Sequence, residues 1–305
     1  MEIKRVGILR GGTGERHTSS VKKGGEIISH IFENLSDKYK IVDILIDKEG
    51  VWHLNGIPIK PADLVRKVDV VWNTSEDPSF SVVLDSFFIP NIGNKYFSKV
   101  LENNNDMLRK HIKDIGVQMP QSIVLPLYQE DFDGPRERYA IKKAKEVFER
   151  FSSPWVIKSF TPDSNMGIHL AKTFGELSEA IEDGVNHGKS ILVEEFIVGK
   201  PSTVHSISGF RGEDIYVLPS QNFSTSEKEK IINFARNLHK HLATEHYLKS
   251  DFVLHPQRGF FLTGIDSSPD LRKGSHFEQS CEFVGAKMYH VLEHILNRAS
   301  GTDSA

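Results

Sequence analysis

The sequence predicts a mixed α/β protein, with a parallel-sheet domain at the amino end and two mixed segments after it. Three observations lead to this prediction. Within the first 93 residues, short apolar runs alternate with a helix-like segment, which is the order of a parallel sheet with crossover helices. A long polar loop follows the apolar run at residues 155–157. Near the carboxyl end, two apolar runs joined by a turn have the pattern of a hairpin.

The composition limits the class of protein. A length of 305 residues is enough for two or three domains with a substantial core. The net charge of -3 gives no overall attraction to nucleic acid or to an anionic membrane. Cys281 is the only cysteine, which excludes an intramolecular disulfide and a thiolate metal cluster, and we interpret it as a small apolar filler on a helix. Without a signal-peptide pattern or an apolar run near the ~20 residues of a membrane span, we expect a soluble cytoplasmic protein.

The first domain is predicted from its strands and a glycine-rich turn. The turn at residues 11–14 separates the first strand from a helix over residues 22–35, with Ser19 or Ser20 as the N-cap. Backbone N–H groups in such a turn point at an anion. The fingerprint of a nicotinamide dinucleotide site is imperfect here, so that function is the weaker alternative. The predicted strands are residues 5–9, 39–46 and 68–72.

The middle of the chain predicts a second domain. Residues 94–115 have a helical pattern in two pieces, broken around the asparagines at 103–105. A strand is expected at residues 122–125 and a charged, turn-rich loop at residues 129–138. A surface helix over residues 141–151 follows, and its charges need no function beyond solvation.

Lys158 is the first candidate for a functional residue. It ends the apolar run of a strand, and a loop of small and turn-forming residues follows it up to Gly167. A lysine at a strand end beside such a loop can bind the phosphates of a nucleotide. The alternative is an ordinary hairpin with a solvated lysine, but the loop is too long for a tight hairpin. The elements predicted next are strands at 168–171, 191–197, 203–210 and 214–218, and helices at 176–187 and 227–242.

Asp251 and Asp266 are the candidates for a metal site. The first lies in one strand of the predicted carboxyl-terminal hairpin and the second near the end of the other. Two carboxylates on adjoining strands can hold a hard cation such as Mg²⁺. Two unrelated surface aspartates are the alternative. The histidines at 239, 241 and 246 fit no compact zinc signature, so we interpret them as surface residues of a helix.

Motifs along nearly the whole chain, in the same order, give it a resemblance to the D-alanine–D-alanine ligase family within the ATP-grasp fold. The motif at Lys158, Ser164 and Gly167 is similar to the family's K-P-x-x-x-G-S-S-V-G. The other similar motifs are Gly11-Gly12-Thr13 with Glu15-Arg16 and Ser19 or Ser20; Ile89-Pro90 with Gly93; Glu194-Glu195-Phe196-Ile197 with Gly199; Asp251; and Gly264-Ile265-Asp266-Ser267-Ser268-Pro269.

The resemblance implies a fold, a reaction and a set of site residues. It implies a Rossmann-like domain at residues 1–93 and ATP-grasp subdomains at 94–188 and 189–305. ATP would lie between two antiparallel sheets, and an acyl phosphate of one D-alanine would be attacked by the amine of a second. The implied catalytic residues are Glu15 for the first ammonium group, Lys249, Ser164 and Ser275 for the neighbouring carboxylate. The implied ATP-binding residues are Lys158, Ser164, Asn165, Glu194, Glu195 and Ile197, and the implied Mg²⁺ ligands are Asp251 and Asp266.

The chain departs from the family pattern at several of these positions. Lys249 stands where the family has an arginine, and Gly264 where it has a metal-bridging glutamate. Asp270 replaces the glycine that donates to the oxyanion. The segment from 221 to 226 is too short for the family's lid, and residues 129–138 are the best candidate for a replacement.

Two functions are compatible with these residues and motifs. The first is a ligase that joins two D-amino acids, with D-alanine as the simplest substrate, for peptidoglycan precursors of the cell wall. The second is a degenerate ATP-grasp protein that binds nucleotide or acts as a scaffold. The sequence does not decide the oligomeric state, for which a homodimer is one option.

Overall fold

The fold is that of a computed structural model, which describes residues 3–14, 16–93, 96–160, 166–218 and 223–301. Contacts between Cα atoms divide the chain into two compact units. The first unit comprises Met1–Gly116, Ser202–Phe252 and Gly264–Ala305, and the second comprises Val117–Pro201 and Val253–Thr263. The division into three domains with boundaries at residues 93 and 188 was made on other grounds than these contacts, and it stays a prediction.

The first unit contains a six-stranded sheet built around its first strand. β1 pairs in parallel with β2 on one side and β5 on the other, and β5 pairs in parallel with β6, so the predicted parallel sheet is confirmed. A short antiparallel hairpin, β3–β4, extends one edge, and its three-residue strands were too short to predict. The elements are β1 (Lys4–Gly11), α1 (His17–Asn34), β2 (Tyr39–Ile46), β3 (Trp52–Leu54), β4 (Ile57–Ile59), β5 (Val70–Asn73), α2 (Ser79–Ser86) and β6 (Asn91–Gly93).

Helix α1 begins earlier than predicted, and neither predicted serine caps it. The N-cap position is Arg16, whose side chain makes no capping hydrogen bond. The buried hydroxyl of Ser20 instead accepts the backbone N–H of Gly11 at 2.9 Å, across the strand-to-helix turn. The prediction of Ser19 or Ser20 as the cap was therefore wrong, because Ser20 is used to fasten the turn.

Gly11 is needed for the conformation of this turn. Its φ is +90°, and an added Cβ atom would collide with the carbonyl oxygen of Ile46 on the neighbouring strand. We expect Gly11→Ala to lower the free energy of unfolding by about 2 kcal/mol or more, because the strained backbone and the clash act together. Gly14→Ala is the matched control, since a Cβ atom there meets nothing within 4 Å. Equal urea midpoints for the two variants would contradict this expectation.

The predicted two-piece helix is confirmed, and its break has a local cause. α3 (Tyr96–Asn103) and α4 (Asn105–His111) are separated at Asn104. Asn104 has extended backbone angles, and its side chain accepts the backbone N–H of Met107 at 2.9 Å. This is an N-cap, so the second helix starts there instead of continuing the first.

The second unit packs helices against a four-stranded antiparallel sheet with the order β7-β10-β8-β9. Its core contains the fully buried side chains of Trp155 and Ile157 on β8, together with Leu177 and Ile181 on α7. The strand predicted at 122–125 is confirmed. The elements are β7 (Ser122–Leu125), α5 (Tyr128–Asp131), α6 (Arg136–Arg150), β8 (Trp155–Ser159), β9 (His169–Ala171), α7 (Phe174–Asn186) and β10 (Ile191–Glu195).

The charged loop predicted at residues 129–138 is largely helical. It contains most of α5 and the first turn of α6, and it is anchored by an aromatic cluster. The ring of Phe132 lies 6.4 Å from that of Tyr128 and 5.9 Å from that of Tyr139, measured between centroids. Tyr139 is fully buried, so this segment is attached to the core of the second unit.

A third sheet has the strand order β12-β11-β13-β14, and its β13–β14 neighbours confirm the predicted carboxyl-terminal hairpin. The antiparallel pairing of β11 with β12 is also as predicted. His239 is not a surface residue, since it is 1% exposed and bonded to Ser206 and Ser208 at 2.7 and 2.8 Å. The elements are β11 (Lys200–Ser208), β12 (Ile215–Leu218), α8 (Thr225–His241), β13 (Tyr247–His255), β14 (Gly259–Asp266), α9 (His276–Phe283) and α10 (Met288–Ala299). No helix in the described part of the chain has the length and apolar character to cross a membrane.

Candidate active site

One face of strand β13 in the first unit brings the predicted charged residues together. Side chains two residues apart in a strand point to the same face, so Tyr247, Lys249 and Asp251 share one face. The Nζ atom of Lys249 lies 2.9 Å from the Oδ2 atom of Asp251. The hydroxyl of Thr203 on β11 donates to the other oxygen of Asp251 at 2.5 Å. The carboxylate is therefore oriented from two sides, and the lysine is held beside it.

Asp251 and Asp266 form a candidate metal site on neighbouring strands. Asp266 ends β14 and accepts the backbone N–H of Ser268 at 2.8 Å, which fixes its carboxylate. Gly264 leaves room next to Asp251, because a Cβ atom there would lie 3.9 Å from the Oδ2 atom of Asp251. No group of three or more histidine, cysteine and acidic residues suited to a metal occurs in the described ranges. Two carboxylates fit Mg²⁺, which is commonly held by one or two carboxylates and by phosphate oxygens.

A cavity of about 800 Å³ and a second of about 390 Å³ open in the first unit, and two of the predicted site residues line the second. Lys249 and Asp266 line the smaller cavity, together with lysines of α1. Its wall thus carries both signs of charge, as a site for amino acids requires. Its lining residues are Ser19, Lys22, Lys23, Glu26, Lys249, Asp266, Ser268, Pro269, Asp270 and Arg272.

Asp270, at the position of the family's oxyanion glycine, is neutralised by a neighbour that sequence reasoning missed. The guanidinium group of Arg272 donates to both carboxylate oxygens of Asp270, at 2.8 and 2.6 Å. This bidentate contact lowers the pKa of Asp270 below its usual value. The two residues are only two positions apart, so the sequence alone could have indicated this ion pair.

Ser275, predicted to bind a carboxylate, is the N-cap of helix α9. Its hydroxyl accepts the backbone N–H of Glu278 at 3.2 Å and donates to the carbonyl oxygen of Asp270 at 2.9 Å. A capping role therefore explains its position in this structure. Its predicted role in substrate binding stays a prediction.

Glu76, in the loop after strand β5, forms ion pairs with three cations. It pairs with Lys23 at 2.7 Å, with Arg16 at 3.0 Å and with Lys99 on α3. Lys99 is only 1% exposed and also pairs with Glu102 at 2.6 Å. Sequence reasoning missed this cluster, because its members lie far apart in the chain and only folding brings them together.

Glu76 is expected to make stability depend on pH below 4.5. Burial opposes its ionisation, but Lys99 and Lys23 outweigh burial and lower its pKa to about 2 from the ordinary value of 4.5. The folded state therefore binds its proton less readily than the unfolded state, so its stabilisation is complete above pH 4.5 and disappears as the pH falls to about 2. We expect Glu76→Gln to unfold with a smaller change in denaturant midpoint between about pH 5 and about pH 3 than the parent chain. An unchanged pH dependence would contradict this assignment.

The second unit places Lys158 and Glu194 next to each other on adjacent strands. Lys158 on β8 faces Leu192 on β10, so Glu194 is its diagonal neighbour on the same face. Its Nζ atom lies 2.5 Å from the Oε2 atom of Glu194. Lys158 lies near the end of strand β8 and precedes the candidate phosphate loop, as predicted, but its charge is already paired with a carboxylate.

Lys158→Ala is expected to weaken binding of ATP with Mg²⁺ by about 10-fold or more, because a hydrogen bond from a charged donor contributes about 1.5–3 kcal/mol. Titration calorimetry measures the dissociation constant directly. Lys172→Ala provides the control, since Lys172 is an exposed lysine after β9. The same affinity in both variants would remove Lys158 from the nucleotide site.

Glu195 and Ile197, also predicted to bind ATP, have clear structural partners. Glu195 accepts hydrogen bonds from the guanidinium group of Arg258 and from the backbone N–H of Gln121 at 3.2 Å. Burial raises the pKa of Glu195, but these two donors outweigh it, and the pKa lies below its usual value. Ile197 is 6% exposed and belongs to the core. Arg258 was missed because it lies 63 residues away in the sequence.

Three predicted site residues lie outside the described residues, namely Glu15, Ser164 and Asn165. Their assigned roles stay predictions. The described residues thus bring Lys249, Asp251 and Asp266 together in the first unit, and Lys158 and Glu194 in the second.

Comparisons with known proteins point to the family whose motifs the sequence resembles. The family described as D-ala D-ala ligase C-terminus matches residues 113–219. A D-alanine--D-alanine ligase of Wigglesworthia glossinidia brevipalpis is 23% identical, with 89% of this chain and 91% of the relative covered. One from Oceanobacillus iheyensis is 21% identical, with 97% and 95% covered.

These matches show that the chain is similar to the D-alanine–D-alanine ligase family. Solved structures confirm the ATP-grasp fold. VanG D-Ala:D-Ser ligase from Enterococcus faecalis is 18% identical with a TM-score of 0.77, with 98% of this chain and 100% of that chain covered. D-alanine--D-Alanine Ligase from Bacillus anthracis complexed with ATP is 18% identical with a TM-score of 0.72, with 99% and 100% covered.

The similarity to the D-alanine–D-alanine ligase family confirms the predicted resemblance, fold and enzyme class. It also allows the site residues of this chain to be compared with the family pattern. Compared with the family pattern, the chain keeps a cation at Lys249 and a carboxylate at Asp251, has Asp266 where the family has an asparagine, and adds Arg272 beside Asp270. The site therefore lacks the glutamate replaced by Gly264 and gains the carboxylate of Asp266.

Proposed function

We propose that this protein is an ATP-dependent ligase that joins two amino acids through an acyl-phosphate intermediate. The observation that carries the proposal is the ordered row of Thr203, Lys249 and Asp251, whose lysine lines a cavity with both signs of charge. Similarity to the D-alanine–D-alanine ligase family supports the same reaction class. D-Alanine is the proposed substrate, and the proposed role is the synthesis of peptidoglycan precursors in the cytoplasm.

The reaction has two steps, and this chain's residues have separate tasks in them. A carboxylate oxygen of the first amino acid attacks the γ-phosphorus of ATP, and ADP leaves. The amine of the second then attacks the acyl carbon, the C–O bond to phosphate breaks, and the amine loses a proton. Lys249 offsets the negative charge that develops on the transferred group, while Thr203 and Lys249 keep the carboxylate of Asp251 oriented.

Magnesium ion, if bound between Asp251 and Asp266, would neutralise phosphate charge in the proposed reaction. In the second unit, Lys158 would bind phosphate and Glu194 would hold that lysine in place. The division into a Rossmann-like domain at 1–93 and ATP-grasp subdomains at 94–188 and 189–305 belongs to the same proposal.

The decisive experiment measures phosphate release and dipeptide formation in one reaction. The chain is incubated with ATP and Mg²⁺ across a panel of D- and L-amino acids, and dipeptides are identified by mass spectrometry. We expect D-alanine to give both products. Saturable ATP binding with no phosphate release for any amino acid would instead support the non-catalytic alternative.

Exclusion of water from the acyl phosphate is a separate requirement of this function. Hydrolysis competes with attack by the amine, and a closing segment prevents it. We propose residues 129–138 for this task, although their attachment through Phe132 limits how far they can move. Stoichiometric phosphate and dipeptide in a chain lacking these residues would exclude them.

A further inference from the structure

Three side chains beside the Lys249–Asp251 pair are hydrogen-bonded in a row. The hydroxyl of Tyr247 on β13 lies 2.7 Å from the Nδ1 atom of His205 on β11. The Nε2 atom of His205 lies 2.9 Å from the Nδ1 atom of His276 on α9. Tyr247 and His205 are 3% and 2% exposed, while His276 is at the surface. The row thus leads from the core to the face that carries Lys249.

The direction of these hydrogen bonds follows from the buried hydroxyl. Within the described ranges, His205 is the acceptor available to the hydroxyl of Tyr247, and a buried hydroxyl that donates to nothing is costly. Tyr247 therefore donates to Nδ1 of His205. A neutral His205 then carries its proton on Nε2 and donates it to Nδ1 of His276.

Ser280 does not change this assignment. Its hydroxyl lies 3.3 Å from Nδ1 of His276, but it donates at 2.7 Å to the backbone carbonyl oxygen of the same residue. Its proton is thus already used. A neutral His276 that accepts at Nδ1 must carry its own proton on Nε2, which is the ring nitrogen left for a ligand.

Both imidazoles are neutral at pH 7. Burial lowers the pKa of His205 to about 3, with His276 and Lys249 acting in the same direction and Asp270 opposing them. Burial also lowers the pKa of His276, where Asp251 opposes and Lys249 assists. These are the charged groups that act on the pair. Burial raises the pKa of Tyr247, so its hydroxyl keeps its proton.

We propose that Tyr247 and His205 position His276 as a neutral Nε2–H donor to an anionic oxygen of the ligand that Lys249 binds, either of the phosphoryl group or of the tetrahedral adduct. The inference rests on the proposed ligase function. No proton is transferred, so the donor lowers the energy of developing negative charge without adding a net charge.

The protonated ring nitrogen can be measured on the full chain without substrate. Nitrogen-15 NMR of labelled histidine at pH 7 is expected to show the Nε2–H tautomer for His205 and His276. Tyr247→Phe removes one oxygen and is expected to produce a mixture of tautomers at His205. His294, whose Nε2 atom lies 2.8 Å from the carbonyl oxygen of Ser208, is the internal reference and should not change. An Nδ1–H tautomer of His276 in the parent chain would overturn the inference.

Kinetics test whether the donor acts on the substrate. His276→Leu is expected to lower kcat about 10- to 100-fold with little change in the KM for ATP, because the donor matters most where charge develops. His276→Gln keeps an N–H donor and is expected to recover most of the rate. His290→Leu, at an exposed histidine on α10, is the control.

The outcomes separate the two proposals. Equal kcat values for His276→Leu and the parent chain would overturn the role of His276 while leaving the ligase function standing. If the parent chain forms no dipeptide, the ligase function fails, and the tautomers of His205 and His276 still decide whether the hydrogen-bonded row is directed as proposed. Loss of the tautomer preference in Tyr247→Phe supports the positioning role in either case.

Discussion

Lys249→Met is expected to lower the rate of dipeptide formation about 100- to 1000-fold, which corresponds to the loss of one group that stabilises charge in a transition state. Lys249 lies at the cavity wall and pairs with Asp251 at 2.9 Å, so its removal takes away a cation and also leaves that carboxylate less oriented. The effect should appear in kcat. The measurement is dipeptide formation at saturating ATP and amino acid.

Two further variants serve as controls for Lys249→Met. Lys249→Arg restores the residue type of the wider family and is expected to keep more activity than methionine, since its fork can still pair with Asp251. Lys230→Met removes an exposed charge on helix α8 and should leave the rate unchanged. A thermal melt of each variant separates loss of function from loss of fold. Full activity of Lys249→Met would exclude this lysine from the reaction.

The second large effect is expected on stability. Lys99→Met should lower the free energy of unfolding by about 3–5 kcal/mol, because it leaves two buried carboxylates without their shared cation. Lys99 is 1% exposed and lies between Glu76 and Glu102, which are each 12% exposed. Glu102 also accepts the hydroxyl of Ser267 at 3.1 Å, next to Asp266, so the damage extends to the candidate metal site.

The matched control is Lys145→Met, which breaks an ion pair of the same type at the surface. Lys145 and Glu149 are 72% and 62% exposed and 3.8 Å apart, so their separation should change stability by less than about 1 kcal/mol. A triple variant with Lys99→Met, Glu76→Gln and Glu102→Gln removes the stranded charges and should recover part of the loss. Urea unfolding measures all three. Equal losses for Lys99→Met and Lys145→Met would contradict the assignment.

The elements that were predicted best from the sequence are those that the local pattern of apolar and polar residues determines. The strands Tyr39–Ile46 and Ser122–Leu125 were predicted to the residue, since an apolar run between polar turns depends on few distant contacts. The helical turns at 128–131 and 136–138 were missed because their charged composition resembles a loop. Their stability comes from Phe132 and Tyr139 packing together, which a linear pattern does not display.

In the candidate site too, the residues with a local sequence signal were predicted, and those that depend on distant contacts were not. Lys158, Asp251 and Asp266 were found because each follows from its place in a strand. The cations that pair with Glu195, Glu76 and Asp270 were not found. Arg258 and Lys99 pair with carboxylates that are distant in the sequence or that had no predicted role. Arg272 does not lie in a predicted strand, so no pattern marked it as a candidate.

The burial of Cys281 makes the protein suitable for thiol-specific labelling at an introduced cysteine. It is the only cysteine in the sequence, it is fully buried, and burial raises the pKa of its thiol to about 12. At neutral pH it is almost entirely the unreactive thiol, so maleimide dyes should leave the folded chain unlabelled. A cysteine introduced at Ile168, a side chain that is 76% exposed just before β9, would then carry a fluorophore at a single defined position. Such a label would report nucleotide binding in real time from beside the candidate phosphate loop.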